Sequence, residues 1–278
     1  STFLFLVFSL ATSMASFEIS IAVIFAFVFL PVLEFLLPLA KENFSKEQEE
    51  QALKSRFYDY ITYSMLPIQY GLILLFSYMI STSTYSYTEL FGMTFSLGIA
   101  CGVLGINVGH ELGHRVKKSE QLMAKLLLST SWYSHFFIEH NKGHHKNVAT
   151  PHDPASAHLN QNVFSFWVQS LRGSFLSALS LEKKRLAKSK KSFFWQNEVI
   201  RWKLVELSQT LVIFYFFGVT AAVCFVFAAL IGALLLECVN YIEHYGLHRS
   251  KLSNGRYERV TPHHSWNSDH PLGRTILF

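Results

Sequence analysis

Cysteine is scarce in this chain. Only Cys101, Cys224 and Cys238 occur, all in or at the end of apolar runs and none spaced as Cys-x-x-Cys. That usage excludes a disulfide scaffold and argues against a thiolate metal site or an internal iron–sulfur cluster. Charge is also sparse, with Asp, Glu, Lys and Arg making up 15% of 278 residues. No basic tract is interleaved with aromatics as a nucleic-acid surface requires, so nucleic acid is not an expected partner. The chain opens on Ser1 inside an apolar run, and no basic n-region marks a signal peptide.

What is abundant is apolar surface in long blocks: half of the residues are hydrophobic and 26 are Phe, a composition whose natural solvent is a bilayer. Segments approaching the ~20 residues needed to cross it fall at 2–16, 19–40, 58–80, 90–109, 204–217 and 222–243. The last two form one apolar run over 30 residues long, divided by a turn expected at 218–221, where Gly218 lies. The expected fold is all-α: a polytopic bundle of about six spans in one domain over 1–278, with a His-rich helical cap. Gly92, Gly98, Gly102, Gly105 and Gly109 in the fourth span would allow close helix packing. With six crossings, the basic segments 41–56, 110–203 and 244–278 share one side, while 81–88 and 218–221, which hold no Lys or Arg, fall on the other. The positive-inside rule makes the basic side cytoplasmic, and the histidines lie on that side or at its interface.

Three boxes follow apolar runs or lie between them. The first is His110-Glu111-Leu112-Gly113-His114; the second is Glu139-His140-Asn141-Lys142-Gly143-His144-His145; the third is Asn240-Tyr241-Ile242-Glu243-His244-Tyr245-Gly246-Leu247. On a helix, i and i+4 share a face, so His110 with His114, and His140 with His144, can each present two imidazoles to one ion. His145 lies about 100° further round, which points to a second ion. Neighbours in sequence point apart, so Glu111, Glu139 and Glu243 are expected to hold the outer ring N–H of a different histidine. Asp153 is a candidate for the same task. Imidazole without thiolate suits Fe, Cu, Zn or Ni. His-Glu-x-x-His alone is also the zincin motif, but one zinc would leave the second box unused.

These boxes, continued by Pro262-His263-His264-Ser265-Trp266-Asn267-Ser268, resemble the integral-membrane alkane monooxygenase family. The first two are shared with the wider superfamily of membrane desaturases and hydroxylases, whereas the third is specific to the alkane branch. The resemblance runs from the second apolar span to the last residue. It implies that His110, His114, His140, His144, His145 and His244 bind two non-haem Fe ions. It further implies terminal hydroxylation of an alkane with dioxygen and two electrons delivered by rubredoxin and its reductase, at the cytoplasmic face of a bacterial inner membrane. His263 and His264 fall outside the ligand boxes and are expected to support ligands or structure. The family's last His box should follow Phe278, so the chain is expected to be truncated at both ends and to complete only one iron's shell.

The substrate has no polar handle, so it is expected to lie between spans, flanked by the Phe-rich stretch 25–35 and the glycine-rich stretch 92–109. Lysines within 183–191 would suit an acidic electron carrier. His135, His152, His158, His248 and His270 read as interfacial or loop residues. Three rival readings are weaker. An acyl desaturase or hydroxylase does not explain the third box, a zinc protease does not explain the number of histidines, and a metal transporter should hold its ligands near mid-membrane.

Overall fold

The computed structural model describes residues 28–37, 56–190 and 192–266. The expected span 2–16 and most of 19–40 lie outside them, as do His270 and the charged connector up to residue 55. Every regular element among the described residues is helical. We number them α1 (Leu30–Leu36), α2 (Arg56–Thr82), α3 (Tyr87–Gly113), α4 (Lys118–Ser129), α5 (from Phe136 to Asn147), α6 (Val163–Lys188), α7 (Phe193–Gln196) and α8 (Glu198–His244). A 3-10 turn, Pro262–His264, follows α8.

Among the described residues, three helices, α2, α3 and α8, are long and apolar enough to cross a membrane. α3 starts where the Ser-x-x-Glu pattern requires. Ser86 Oγ accepts from the Glu89 amide, and the Ser86 amide donates to Glu89 Oε2 at 2.6 Å. α8 is broken at Gly218 (φ 86°, ψ 174°), a backbone region open essentially to glycine alone. The break reverses the chain. Glu206 Oε1, before it, accepts from the Ser134 amide at 2.9 Å, and Glu237 Oε1, after it, accepts from Tyr133 Oη at 2.5 Å. Thirty-one residues of straight helix (237 − 206) would set those two acids roughly 45 Å apart, yet they meet consecutive residues of one turn. α8 is therefore a hairpin whose two ends return to the same side.

α3 packs on the returning arm of α8 at glycine contacts. A Cβ on Gly98 would fall 2.6 Å from Ile231 Cβ, and one on Gly232 would fall 2.8 Å from Cys101 Cβ. The small residues of α3 thus serve helix packing. At Gly98 and Gly102 the space expected to flank a substrate is filled by Ile231 and Leu235. Met65, Leu72 and Phe76 of α2 complete the apolar core with Leu97 and Leu104 of α3 and Phe225 of α8. Cys101 is buried, Cys224 and Cys238 are half-buried, and all three are free thiols.

α4 packs against the His110 end of α3, and α6 packs against α5 and α8. The turn between α4 and α5 is pinned by Glu206 and by Lys203 Nζ, which donates to the Trp132 carbonyl at 2.6 Å. That anchor sets where α5 begins.

Candidate metal centre

Two of the helices carrying histidines depart from α geometry. α3 runs as a π-helix over Cys101–Asn107, immediately before His110, and α5 contains a π segment over His140–His144. A π turn closes i→i+5, and the His145 amide indeed donates to the His140 carbonyl. The residue five along therefore comes round near the first. His145 Nε2 lies 2.9 Å from His140 Nε2.

The result is a chain of ring nitrogens. His110 Nε2 lies 2.8 Å from His114 Nε2 and 2.7 Å from His140 Nε2, which in turn meets His145. A ring nitrogen is either donor or acceptor, never both. Donors and acceptors must alternate along this chain, which leaves two protons for three contacts, so protons cannot bridge all three. A cation can: two imidazole nitrogens at about 2.0–2.1 Å from one ion and at right angles lie about 3 Å apart. Burial holds the His140 imidazole well below its usual pKa, with the surrounding histidines adding to the effect, and burial likewise lowers His145. Neutral rings keep their lone pairs for metal.

His145 Nε2 meets His140 Nε2, whereas the His144 ring stacks on that of His140 with centroids 5.2 Å apart and turns its Nδ1 elsewhere. The π segment is the physical reason. His144 Nδ1 lies 3.0 Å from Asp153 Oδ2. A carboxylate only accepts, so Nδ1 carries the proton and Nε2 is left open. Asp153 is itself fixed by Ser156 Oγ, donating at 2.6 Å, and by the Ala155 amide. Burial alone would raise the Asp153 pKa, but these hydrogen bonds outweigh it and hold the carboxyl below its usual range. His144 moves the opposite way: burial lowers its pKa, and Asp153 more than restores it. The His144 ring lies 4.9 Å, centroid to centroid, from that of His244, at the end of α8. His244 Nδ1 faces the His264 carbonyl at 3.3 Å, which again leaves its Nε2 open.

The six histidines thus form two groups, His110, His114, His140 and His145 in one, His144 and His244 in the other. The supporting residues are less uniform. Asp153 meets the His144 ring, and His264 meets that of His244 through its carbonyl. Its own ring is tied off, with Nδ1 accepting from the Thr261 amide at 2.9 Å and Nε2 3.4 Å from Glu258 Oε1. His263 is exposed. Glu111 pairs with Arg115 at 3.5 Å and faces outward. Glu243 corrects the assumption that neighbours point apart, because its carboxylate reaches to 3.8 Å from His244 Nε2. Glu139 is buried beside Gly143, where any Cβ would meet its Oε1, and that oxygen has no hydrogen-bond partner. Burial raises its pKa to about 7 against the pull of His144.

His135, expected at an interface, is buried. Its ring packs 4.6 Å from Tyr133 and 5.4 Å from Phe175, and burial holds it well below its usual pKa. His152, His158 and His248 are exposed, as expected. Sequence reasoning passed over Glu206 and Glu237, although a lone acid inside an apolar run is the signal that finds such residues.

A helical membrane protein with a histidine cluster suited to metal at one end of its bundle is the class that fold and site define. The fatty acid desaturase family profile matches residues 86–278. The chain is 38% identical over 250 residues to alkane 1-monooxygenase of Pseudomonas putida, covering 90% of this chain and 62% of that one. It is 40% identical to alkane 1-monooxygenase 1 of Alcanivorax borkumensis, covering 85% and 59%, and 34% identical to alkane 1-monooxygenase 2 of Pseudomonas aeruginosa, covering 93% and 69%. The chain belongs to the fatty acid desaturase family, in its alkane 1-monooxygenase branch. It spans about three fifths of the first two relatives' length.

Proposed function

We propose that the protein hydroxylates the terminal carbon of alkanes to give 1-alkanols, using dioxygen, two protons and two electrons from rubredoxin with its reductase. The observation that carries this reading is the chain of four Nε2 atoms at 2.7–2.9 Å, whose three contacts protons cannot all bridge, with the ligating nitrogens of His110, His114 and His140 all within 4.8 Å of one another. The kinship with alkane 1-monooxygenases supplies the reaction class. His110, His114 and His140 would share one non-haem iron with His145 beside them, and His144 and His244 would hold part of a second. Iron bound there would supply the dioxygen-activating redox chemistry that no side chain possesses.

The chain's own part is positioning and exclusion of water. Asp153 and the His264 carbonyl keep the ring protons on the Nδ1 atoms of His144 and His244. Phe136 stacks on His140, with centroids 4.6 Å apart, and closes the cluster on the bundle side. An alkane offers only apolar surface, worth about 0.8 kcal/mol per buried CH₂, and a route from the lipid phase suits it. We place the protein in a bacterial inner membrane as one domain of about six spans, with the site at the cytoplasmic face. The Lys and Arg distribution and the bacterial relatives support that placement. Exposed Lys183, Lys184, Lys188 and Lys190 would meet an acidic electron carrier.

The test is to supply full-length protein with iron, rubredoxin and reductase, then offer octane, hexadecane and a fatty-acyl chain. Terminal alcohols from the alkanes support the reading. An unsaturated or hydroxylated acyl product with inert alkanes would replace it by the acyl chemistry that the family's name denotes.

A further inference from the structure

No motif marks Arg249, and it ligates nothing. It is nonetheless 8% exposed, a guanidinium buried in the segment that follows α8, with Nε unpartnered and both terminal nitrogens bonded. Burying that charge among neutral groups is costly unless its donors are well used. Nη2 donates to the Lys146 carbonyl at 2.7 Å, one residue beyond His145. Nη1 donates to the Glu258 carbonyl at 3.1 Å, and the Arg249 amide donates to the Ala149 carbonyl at 2.7 Å.

Each of these three carbonyls leads to a histidine. Lys146 closes the helical turn that carries His145. Ala149 sits at φ 56°, a strained conformation for a residue with a Cβ, and its amide donates to Ser156 Oγ at 2.8 Å. Ser156 Oγ in turn donates to the Asp153 oxygen that holds His144. Glu258 accepts from the Ser250 amide and faces the ring of His264, whose carbonyl holds His244. The supports of His144, His145 and His244 come from α5, the following loop and the segment after α8, and they converge on one residue, through its side chain at Lys146 and Glu258 and through its backbone amide at Ala149.

We propose that Arg249 is a positioning residue for the metal centre, a brace that fixes the two histidine groups relative to each other. Its planar fork reaches two carbonyls on different segments at once, which a lysine ammonium does not reproduce. The inference rests on the histidine cluster being a metal centre, so the test has one readout with metal and one without.

Wild-type, Arg249→Lys and Arg249→Gln full-length proteins are loaded with cobalt(II), and affinity and ligand-field absorption are measured. Amide hydrogen exchange is followed on the metal-free proteins. Arg249→Lys should weaken cobalt affinity about 10- to 100-fold, the range found for residues that orient metal ligands, and alter the absorption bands. Exchange should speed up in residues 144–150 and 258–264 while α2 is unchanged. If wild type holds no cobalt, the metal-centre reading fails, and faster exchange confined to those two segments still supports the brace. Unchanged affinity and exchange would overturn it. So would a uniform rise in exchange with a normal cobalt spectrum, which marks Arg249 as a residue of general stability.

Discussion

At the scale of single residues, protons decide which nitrogen each ring offers. Asp153→Asn keeps the shape but replaces an acceptor-only group with an amide that can present a donor to His144 Nδ1. Metal affinity should fall about 10- to 100-fold with little change in melting temperature; titration with metal monitored by absorption checks it, and an affinity within twofold of wild type would remove Asp153 from the site. The cluster also dictates a pH response. His140 and His145 have folded-state pKa values below the unfolded value of about 6.5, so the unfolded chain binds more protons and stability falls as pH drops below that value. His144, raised by Asp153, acts in the opposite sense and loses stability as pH rises through its folded value. Two rings outweigh one. The metal-free protein should melt progressively lower as pH falls from about 7 towards 5, and His140→Phe with His145→Phe should flatten that slope in a thermal melt.

At the scale of elements, the chain shows what apolar periodicity reveals and what it hides. Long runs and the Gly218 break were legible, because a bilayer demands length and a reversal demands a residue free of Cβ. The clustering of the boxed histidines was legible too, since their spacing is local. The pairing within the second box was not: α and π turns have the same residues and differ only in which carbonyl each amide reaches. Asp153 could be suspected from its nearness to the box, whereas the carbonyl of His264 and the guanidinium of Arg249 act on histidines through tertiary contacts that no spacing encodes. Packing at glycine gives a paired measurement. Gly232→Ala places a methyl 2.8 Å from Cys101 Cβ and 3.0 Å from the Gly102 amide nitrogen, and should cost about 1–3 kcal/mol. Gly71→Ala, also within a spanning helix, meets nothing within 4 Å and should be neutral or stabilise by up to ~1 kcal/mol. Equal melting temperatures for the two variants in detergent would contradict the close approach of α3 and α8.

At the scale of the whole molecule, the bundle gathers polar work at one end. Both arms of α8 bring a buried acid to the turn at Tyr133 and Ser134, which leads into the helix that carries His140, His144 and His145. Two of the buried acids in that region are engaged by side chains: Glu206 meets Lys203 Nζ at 2.7 Å, and Glu237 accepts from Tyr133 and Asn240. The most direct measurement is to incubate the iron-loaded, membrane-reconstituted full-length protein with octane, reduced rubredoxin and isotopically labelled dioxygen, alongside His140→Ala. The expected result is 1-octanol carrying the label from wild type and none from the variant. Unlabelled alcohol, or equal product from both, would contradict a histidine-held centre as the source of the hydroxyl.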